Sequence, residues 1–152
     1  MIRPARIEDT EEILALIYEL AVYEKAPEEA KATAAQIKES FFSDAPKVFC
    51  EIVEHNGQIA GFAIWFLNYS TWQGLHGIYL EDLFIRPQFR SLGYGKDLLK
   101  YLANICPTQL STSPLLLIGF ISSSNSKTDL SLKKKDSWIN FIVTNLGSFL
   151  FW

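Results

Sequence analysis

The stretch from Tyr79 to Leu102, YLEDLFIRPQFRSLGYGKDLLKYL, constrains this chain more than any other. It opens as a strand that ends near Ile85. Arg86-Pro87 then forces a turn, because proline fixes its own φ and keeps the residue before it out of the helical region. Arg90-Ser91-Leu92-Gly93-Tyr94-Gly95 leads straight into a helix, Tyr94 to Ile105, with Leu98, Leu99, Leu102 and Ile105 on one face. Backbone N–H groups at a helix start lack intrahelical partners and carry partial positive charge. Gly93 and Gly95 let the main chain approach a ligand closely and take unusual φ values, and Arg90 adds a full charge. Strand, glycine turn and helix start together make a cradle suited to a pyrophosphate. Alone, Arg-x-x-Gly-x-Gly also fits a plain turn with glycines. It is neither the phosphate-loop pattern, which needs Gly-Lys-Ser/Thr, nor the three-glycine dinucleotide pattern.

The residues before this segment read as alternating helices and strands. Ile2 to Ile7 is a short opening strand. Asp9-Thr10-Glu11-Glu12 offers an N-cap with an acid three residues on, and Ile13, Leu14, Leu16, Ile17, Leu20 and Ala21 carry a helix to about Tyr23. Pro27 ends that region. Thr33 with Gln36 is a second capping pattern, opening a short helix through Ile37 and Phe41. Val48 to Val53 alternates as a strand, Asn56-Gly57 makes a tight hairpin turn, and Ile59 to Leu67 returns. Asn68 to Gly77 reads as a loop, and Ile78 to Ile85 as the next strand. The order β-α-α-β-β-β-α predicts an α/β or α+β domain, with a mixed sheet flanked by helices.

Composition matters where it changes. The 152 residues, 49% hydrophobic and 20% charged, suit one soluble domain with a real core. A net charge of −3 is a poor match for gripping nucleic acid. No run reaches the roughly 18 apolar residues that a membrane span needs, and the opening MIRPARIEDTEEIL argues against a signal peptide. Cys50 and Cys106 cannot build a disulfide framework and fit buried thiols in a reducing, cytoplasmic compartment. Residues 1–106 carry 10 Lys and Arg against 15 Asp and Glu, whereas residues 107–152 carry 4 Lys against 2 Asp. The second stretch has no Glu, Arg, Ala or Tyr and holds nine of the thirteen serines. It divides the chain at 106/107, and is open to three readings: a linker and appendage, another reading frame, or a spliced exon. Within it, Leu115 to Ile121 fits a buried strand able to pair beside Ile78 to Ile85. Ser122 to Asp136 is polar loop, Lys133-Lys134-Lys135 a solvated run, and Trp138 to Trp152 an apolar strand or helix.

Several motifs now carry a resemblance. The glycine turn, with IRPA at Ile2–Ala5, LIYELAVYEK at Leu16–Lys25, GFAIWFLNYSTWQG at Gly61–Gly74 and YLEDLFIRPQFR at Tyr79–Arg90, resembles the GNAT superfamily of acetyl-CoA-dependent N-acetyltransferases. Within it these motifs resemble the spermidine/spermine (diamine) branch, and Tyr-Ser-Thr-Trp resembles its thialysine-acetyltransferase relatives. The likeness runs over residues 1–105. It implies a GNAT-like, mostly antiparallel sheet, acetyl-CoA as co-substrate, no metal, and transfer of acetyl to a primary amine of a small molecule.

Residue by residue, the resemblance implies that the backbone of Leu83, Phe84 and Ile85 pairs with the pantetheine arm. It implies that Arg90, Ser91, Gly93, Tyr94 and Gly95 hold the pyrophosphate, Ser91 standing where relatives often have glycine. Glu81 takes the place of the base that deprotonates the amine through water, while Glu24, Trp72 and Asp82 match positions lining the amine site. Ser70 stands where polyamine-specific members have Asp, which favours a small amine or amino acid over a long polycation. For partners it implies a small-molecule amine, no nucleic acid, no membrane, and a homodimer whose usual surface the divergent tail replaces. Relatives also carry a tyrosine late in the chain as acid for the leaving thiolate; here no Tyr follows Tyr101, and Asn125 is too isolated to take the Asn role. That departure supports a second expectation, an impaired CoA-binding protein.

Chemistry agrees with a carboxylate base. An alkylammonium with a pKa of about 10.4 is neutral in fewer than about one molecule in a thousand at pH 7, and only the neutral amine attacks a thioester. Glu81 can take that proton. Adjacent strand residues point to opposite faces, so Glu81 and Asp82 can share one ligand only if the strand bulges or opens. His55, in a turn, and His76, in a loop, have no ligand spacing that would make a metal site.

Overall fold

The computed structural model describes residues 1–71, 74–105 and 116–118. Four strands pair antiparallel in sequence order: β1 (Ile2–Pro4), β2 (Phe49–His55), β3 (Gln58–Ser70) and β4 (Leu75–Ile85). A fifth, β5 (Leu116–Ile118), lies parallel to β4 along Ile78–Leu80, where the apolar run from Leu115 was expected to pair. The helices are α1 (Thr10–Tyr23), α2 (Ala34–Phe42) and α3 (Tyr94–Ile105). This is the sheet with flanking helices expected from the element order, in the mostly antiparallel arrangement that the resemblance implies. Among the described residues, no helix is long and apolar enough to cross a membrane.

One face of the sheet is the main core. Cys50 and Ile52 of β2, Phe62 and Ile64 of β3 and Phe84 of β4 pack against Ile13 and Leu16 of α1 and Ile37 of α2. Burial pushes the Cys50 thiol well above its ordinary range, consistent with an inert apolar side chain. Alternation turns Glu51, Val53, Ala63, Trp65 and Ile85 to the other face. There α3 packs against β2 and β4, with Leu98, Leu99 and Leu102 buried and Ile105 exposed at the helix end. Gly61 of β3 sits against β4 so closely that a Cβ would lie 2.3 Å from the Phe84 carbonyl oxygen and 2.9 Å from Ile85 Cα.

Some ends differ from expectation. The opening strand stops at Pro4, because Ile7–Asp9 forms a 3-10 turn. Asp9 precedes α1 but makes no side-chain cap to it; its carboxylate accepts from Arg3 Nη1 at 2.7 Å and Nη2 at 2.9 Å and from the Arg6 N–H, closing the start of the 3-10 turn instead. The Thr33–Gln36 box forms as read, with Gln36 N–H donating to Thr33 Oγ1 and Thr33 N–H to Gln36 Oε1. Helix α1 ends before Pro27: Lys25 adopts φ +64°, and Ala26 N–H reaches back to the Ala21 carbonyl, a left-handed stop. Asn56 and Gly57 both take positive φ, +50° and +77°, as the hairpin requires. Most of the expected Asn68–Gly77 loop is instead ladder, with Asn68 opposite Gly77, Tyr69 opposite His76 and Ser70 opposite Leu75. Cross-strand pairing, including Tyr69 packed on His76, overrides the polar composition. Cys106, the 106/107 division, Ser122–Asp136, Asn125, Lys133–Lys135 and Trp138–Trp152 lie outside the described residues.

Candidate active site

The β3–β4 register slips by one residue at the place of greatest interest. Ile64 faces Asp82, yet Trp65 faces Leu80, so Glu81 is an extra residue, a β-bulge. Counting back from Phe84 puts Asp82 on the α1 side of the sheet. Counting on from Leu80, which shares the face of Trp65, returns Glu81 to that same side. The two acids therefore lie together, which the sequence allowed only for a bulged strand. Glu81 is exposed and Asp82 half-buried. Burial, and then the nearby Glu81 charge, push the Asp82 carboxyl up to about 6.

The described part of β5 pairs with β4 as far as Leu80, beside the bulge. Among the described residues, no strand pairs with the outer edge of Leu83, Phe84 and Ile85, where Arg90 Nε takes the Ile85 carbonyl. That edge offers backbone donors and acceptors to an extended ligand, and it runs directly into the glycine turn.

In the turn, Ser91 and Gly93 both adopt left-handed backbone, φ +64° and +86°. Ser91, Leu92 and Gly93 are exposed. Among the described residues, a Cβ added at Gly93 would meet no atom within 4 Å, so these leave the space over this main chain open. Asp97 N–H donates to the Gly93 carbonyl, starting α3, and Gly95 is buried in its first turn. Open space over helix-start amides is what an anionic group needs, and the residues present therefore fit a pyrophosphate.

Arg90 is held from behind. Its Nε donates to the Ile85 carbonyl at 2.9 Å, and its guanidinium lies over the Tyr23 ring, 4.4 Å from the centroid, and 5.7 Å from that of Phe84. Tyr23 in turn touches Phe84, with ring centroids 6.3 Å apart. Sequence reading missed Tyr23 because an aromatic at a helix end looks like ordinary surface. It brings the end of α1, where Glu24 is the exposed C-cap residue, to the turn. Glu24, Tyr23, Phe84, Arg90, Glu81 and Asp82 thus frame one region on the α1 side of β4. Trp72 lies outside the described residues. Ser70 ends β3.

His55 was the second residue missed. It closes β2 and contacts the Tyr94 hydroxyl through Nδ1, while its ring tilts on Phe89 at 5.4 Å. His76 belongs to β4 and faces the Asn68 carbonyl. Among the described residues, no three His, Cys, Asp or Glu side chains are grouped to hold a metal.

Comparison with known proteins gives the family and the fold. The acetyltransferase (GNAT) family matches residues 7–126, and the chain belongs to that acyltransferase family. It is 34% identical over 113 residues to thialysine N-epsilon-acetyltransferase of Bos taurus, covering 69% of this chain and 66% of that one. It is 33% identical over 149 residues to spermidine/spermine N(1)-acetyltransferase-like protein 1 of Homo sapiens, covering 90% of this chain and 21% of the human protein. The chain thus spans just under two thirds of the bovine relative and about a fifth of the human one. The fold is similar to a predicted acetyltransferase solved with acetyl-CoA from Clostridium acetobutylicum, with TM-score 0.55, 17% identity, 68% of this chain and 71% of that chain.

Proposed function

We propose that this chain moves the acetyl group of acetyl-CoA to a primary amine of a small molecule, a diamine or polyamine or a thialysine-like amino acid. The observation that carries the reading is the edge of Leu83–Ile85, without a strand partner among the described residues, with a bulged pair of acids at one end and the open glycine turn at the other. In this reading the backbone of Leu83, Phe84 and Ile85 pairs with the pantetheine arm. The main chain of Ser91, Gly93, Tyr94 and Gly95 holds the pyrophosphate, with the Arg90 charge behind it. The thioester is thereby laid beside Glu81.

Glu81 takes a proton from the ammonium, directly or through water. The neutral nitrogen attacks the thioester carbonyl, the carbon–sulfur bond breaks, and the proton that the nitrogen sheds on becoming an amide passes through water to the leaving CoA thiolate. Asp82, Glu24 and Trp72 hold the amine. Negative Glu24 and Glu81 suit a substrate with a second cationic group, and Ser70 favours a short one. Names of the bovine and human relatives support this substrate class.

The absence of any tyrosine after Tyr101 favours a second reading, a protein that binds CoA but turns over slowly. Calorimetric titration with CoA, followed by an acetylation assay on thialysine and on spermidine, separates the two. CoA binding with amine acetylation supports the enzyme; binding without it supports the second reading. No CoA binding overturns both.

A further inference from the structure

The glycine turn is built from costly backbone. A non-glycine residue in the left-handed region, such as Ser91, is disfavoured by about 1–2 kcal/mol, and the exposed Ser91-Leu92-Gly93 segment buries little to offset that. Something outside the turn must hold it. At its first end Arg90 does so, through the Ile85 carbonyl and the Tyr23 ring. At its second end the contact is with a distant hairpin. The Tyr94 hydroxyl meets His55 Nδ1, 39 residues away in sequence, and the two rings pack edge-on at 5.8 Å. Phe89, buried just before the turn, backs the same imidazole.

The other imidazole nitrogen indicates which way the bond runs. Asn56 Nδ2 lies 3.2 Å from His55 Nε2. An amide N–H can only donate, so Nε2 accepts, and in the neutral ring Nδ1 carries the proton. His55 therefore donates to the Tyr94 oxygen. Asn56 is itself fixed by the hairpin turn. The chain of contacts Asn56–His55–Tyr94 runs from the β2–β3 turn to the first residue of α3.

We infer that His55 is a positioning residue for the cofactor turn, a latch on Tyr94 that sets the helix-start amides for the pyrophosphate of CoA. The inference rests on the proposed function and deepens it. The latch acts on the pyrophosphate end of the cofactor alone. Pantetheine, which lacks that group, uses the β4 edge and does not depend on it.

Calorimetric titration with CoA and ligand-observed NMR with pantetheine test this on the full chain. His55→Leu and Tyr94→Phe each weaken CoA about five- to tenfold, the size of one oriented hydrogen bond, and leave pantetheine affinity unchanged. The double variant is no weaker than either single one, since both remove the same contact. His55→Asn, whose amide can donate from near the Nδ1 position, restores CoA affinity. Should His55→Leu fail to fold, Tyr94→Phe, which keeps the ring packing, decides alone. CoA affinity indifferent to Tyr94→Phe, or CoA and pantetheine weakened alike, overturns the latch. A wild-type chain that binds no CoA overturns the proposed function itself and the latch with it; one that binds CoA regardless of His55 overturns the latch only.

Discussion

Arg86, where β4 turns away from the sheet, donates to Glu19 of α1 through Nη2 at 2.7 Å and through Nε at 3.0 Å. A second carboxylate, Glu12, lies 2.7 Å from Nη1, and Nη1 also donates to the Ile59 carbonyl. One guanidinium thus ties α1, β3 and the end of β4 just upstream of the glycine turn. Arg86→Ala leaves two carboxylates facing each other without their cation, and hydrogen bonds to charged groups contribute about 1.5–3 kcal/mol. We expect a loss of about 2–3 kcal/mol in urea unfolding; a loss below 0.5 kcal/mol would show the cluster to be merely a surface feature.

Gly93 separates stability from binding. A Cβ there meets no atom of the described residues, so Gly93→Ala costs its backbone strain, about 1–2 kcal/mol. CoA affinity should fall much further, because the methyl group occupies the space over the turn. Ser91→Gly removes the strain at φ +64° and, against the added freedom of the unfolded chain, should raise stability by about 0.5 kcal/mol. Thermal unfolding and calorimetry on both variants check the pair of outcomes.

The glycine turn was legible because its signal is local. Pro87 sets φ, glycines mark positive φ, and the leucines of α3 repeat at helical spacing, so the Tyr94–Ile105 boundaries came out as read. The bulge at Glu81 was not legible: it is a property of how β3 and β4 align, and neither strand alone records it. The same holds for Asn68–Gly77, whose polar residues hide a ladder set by the partner strand. Asp9 was read as a cap because its position is right, but Arg3, brought by β1, takes its carboxylate. His55 and Tyr23 were missed for one reason. Each has its meaning only through a partner far along the chain.

Glu81→Gln removes the proposed base while keeping shape. Acetyl transfer at saturating amine should fall by about 10²–10⁴-fold, with CoA affinity intact. Full activity from pH 6 to 9 in this variant would refute the role.

Stability should rise on mild acidification. Asp82 binds its proton more tightly folded, at about 6, than unfolded, near 3.8. Its ionisation therefore destabilises the fold above pH 6, and that penalty fades as pH falls towards 4. Burial also raises the Glu51 carboxyl, one of whose oxygens has no hydrogen-bond partner among the described residues, and this acts in the same direction. Asp9 works the other way: the Arg3 hydrogen bonds lower its pKa, so its contribution is lost as pH falls below about 4. We expect a stability maximum between about pH 4 and 5.5 in urea unfolding. Asp82→Asn should be more stable than wild type at pH 7.5 and gain nothing at pH 4.

Gly61 is assigned no contact of its own with acetyl-CoA or the amine, yet it lies against Phe84 and Ile85 and fixes how near β3 can come to β4. Any side chain there strikes the Phe84 carbonyl or the Ile85 main chain, and the backbone, unlike a flexible side chain, cannot step aside. β4 would have to move away, taking the Leu83–Ile85 edge with it. In a saturation screen this position should therefore score with the intolerant residues of the binding site. A reader of such a map would place in the pocket a glycine that never meets its occupant.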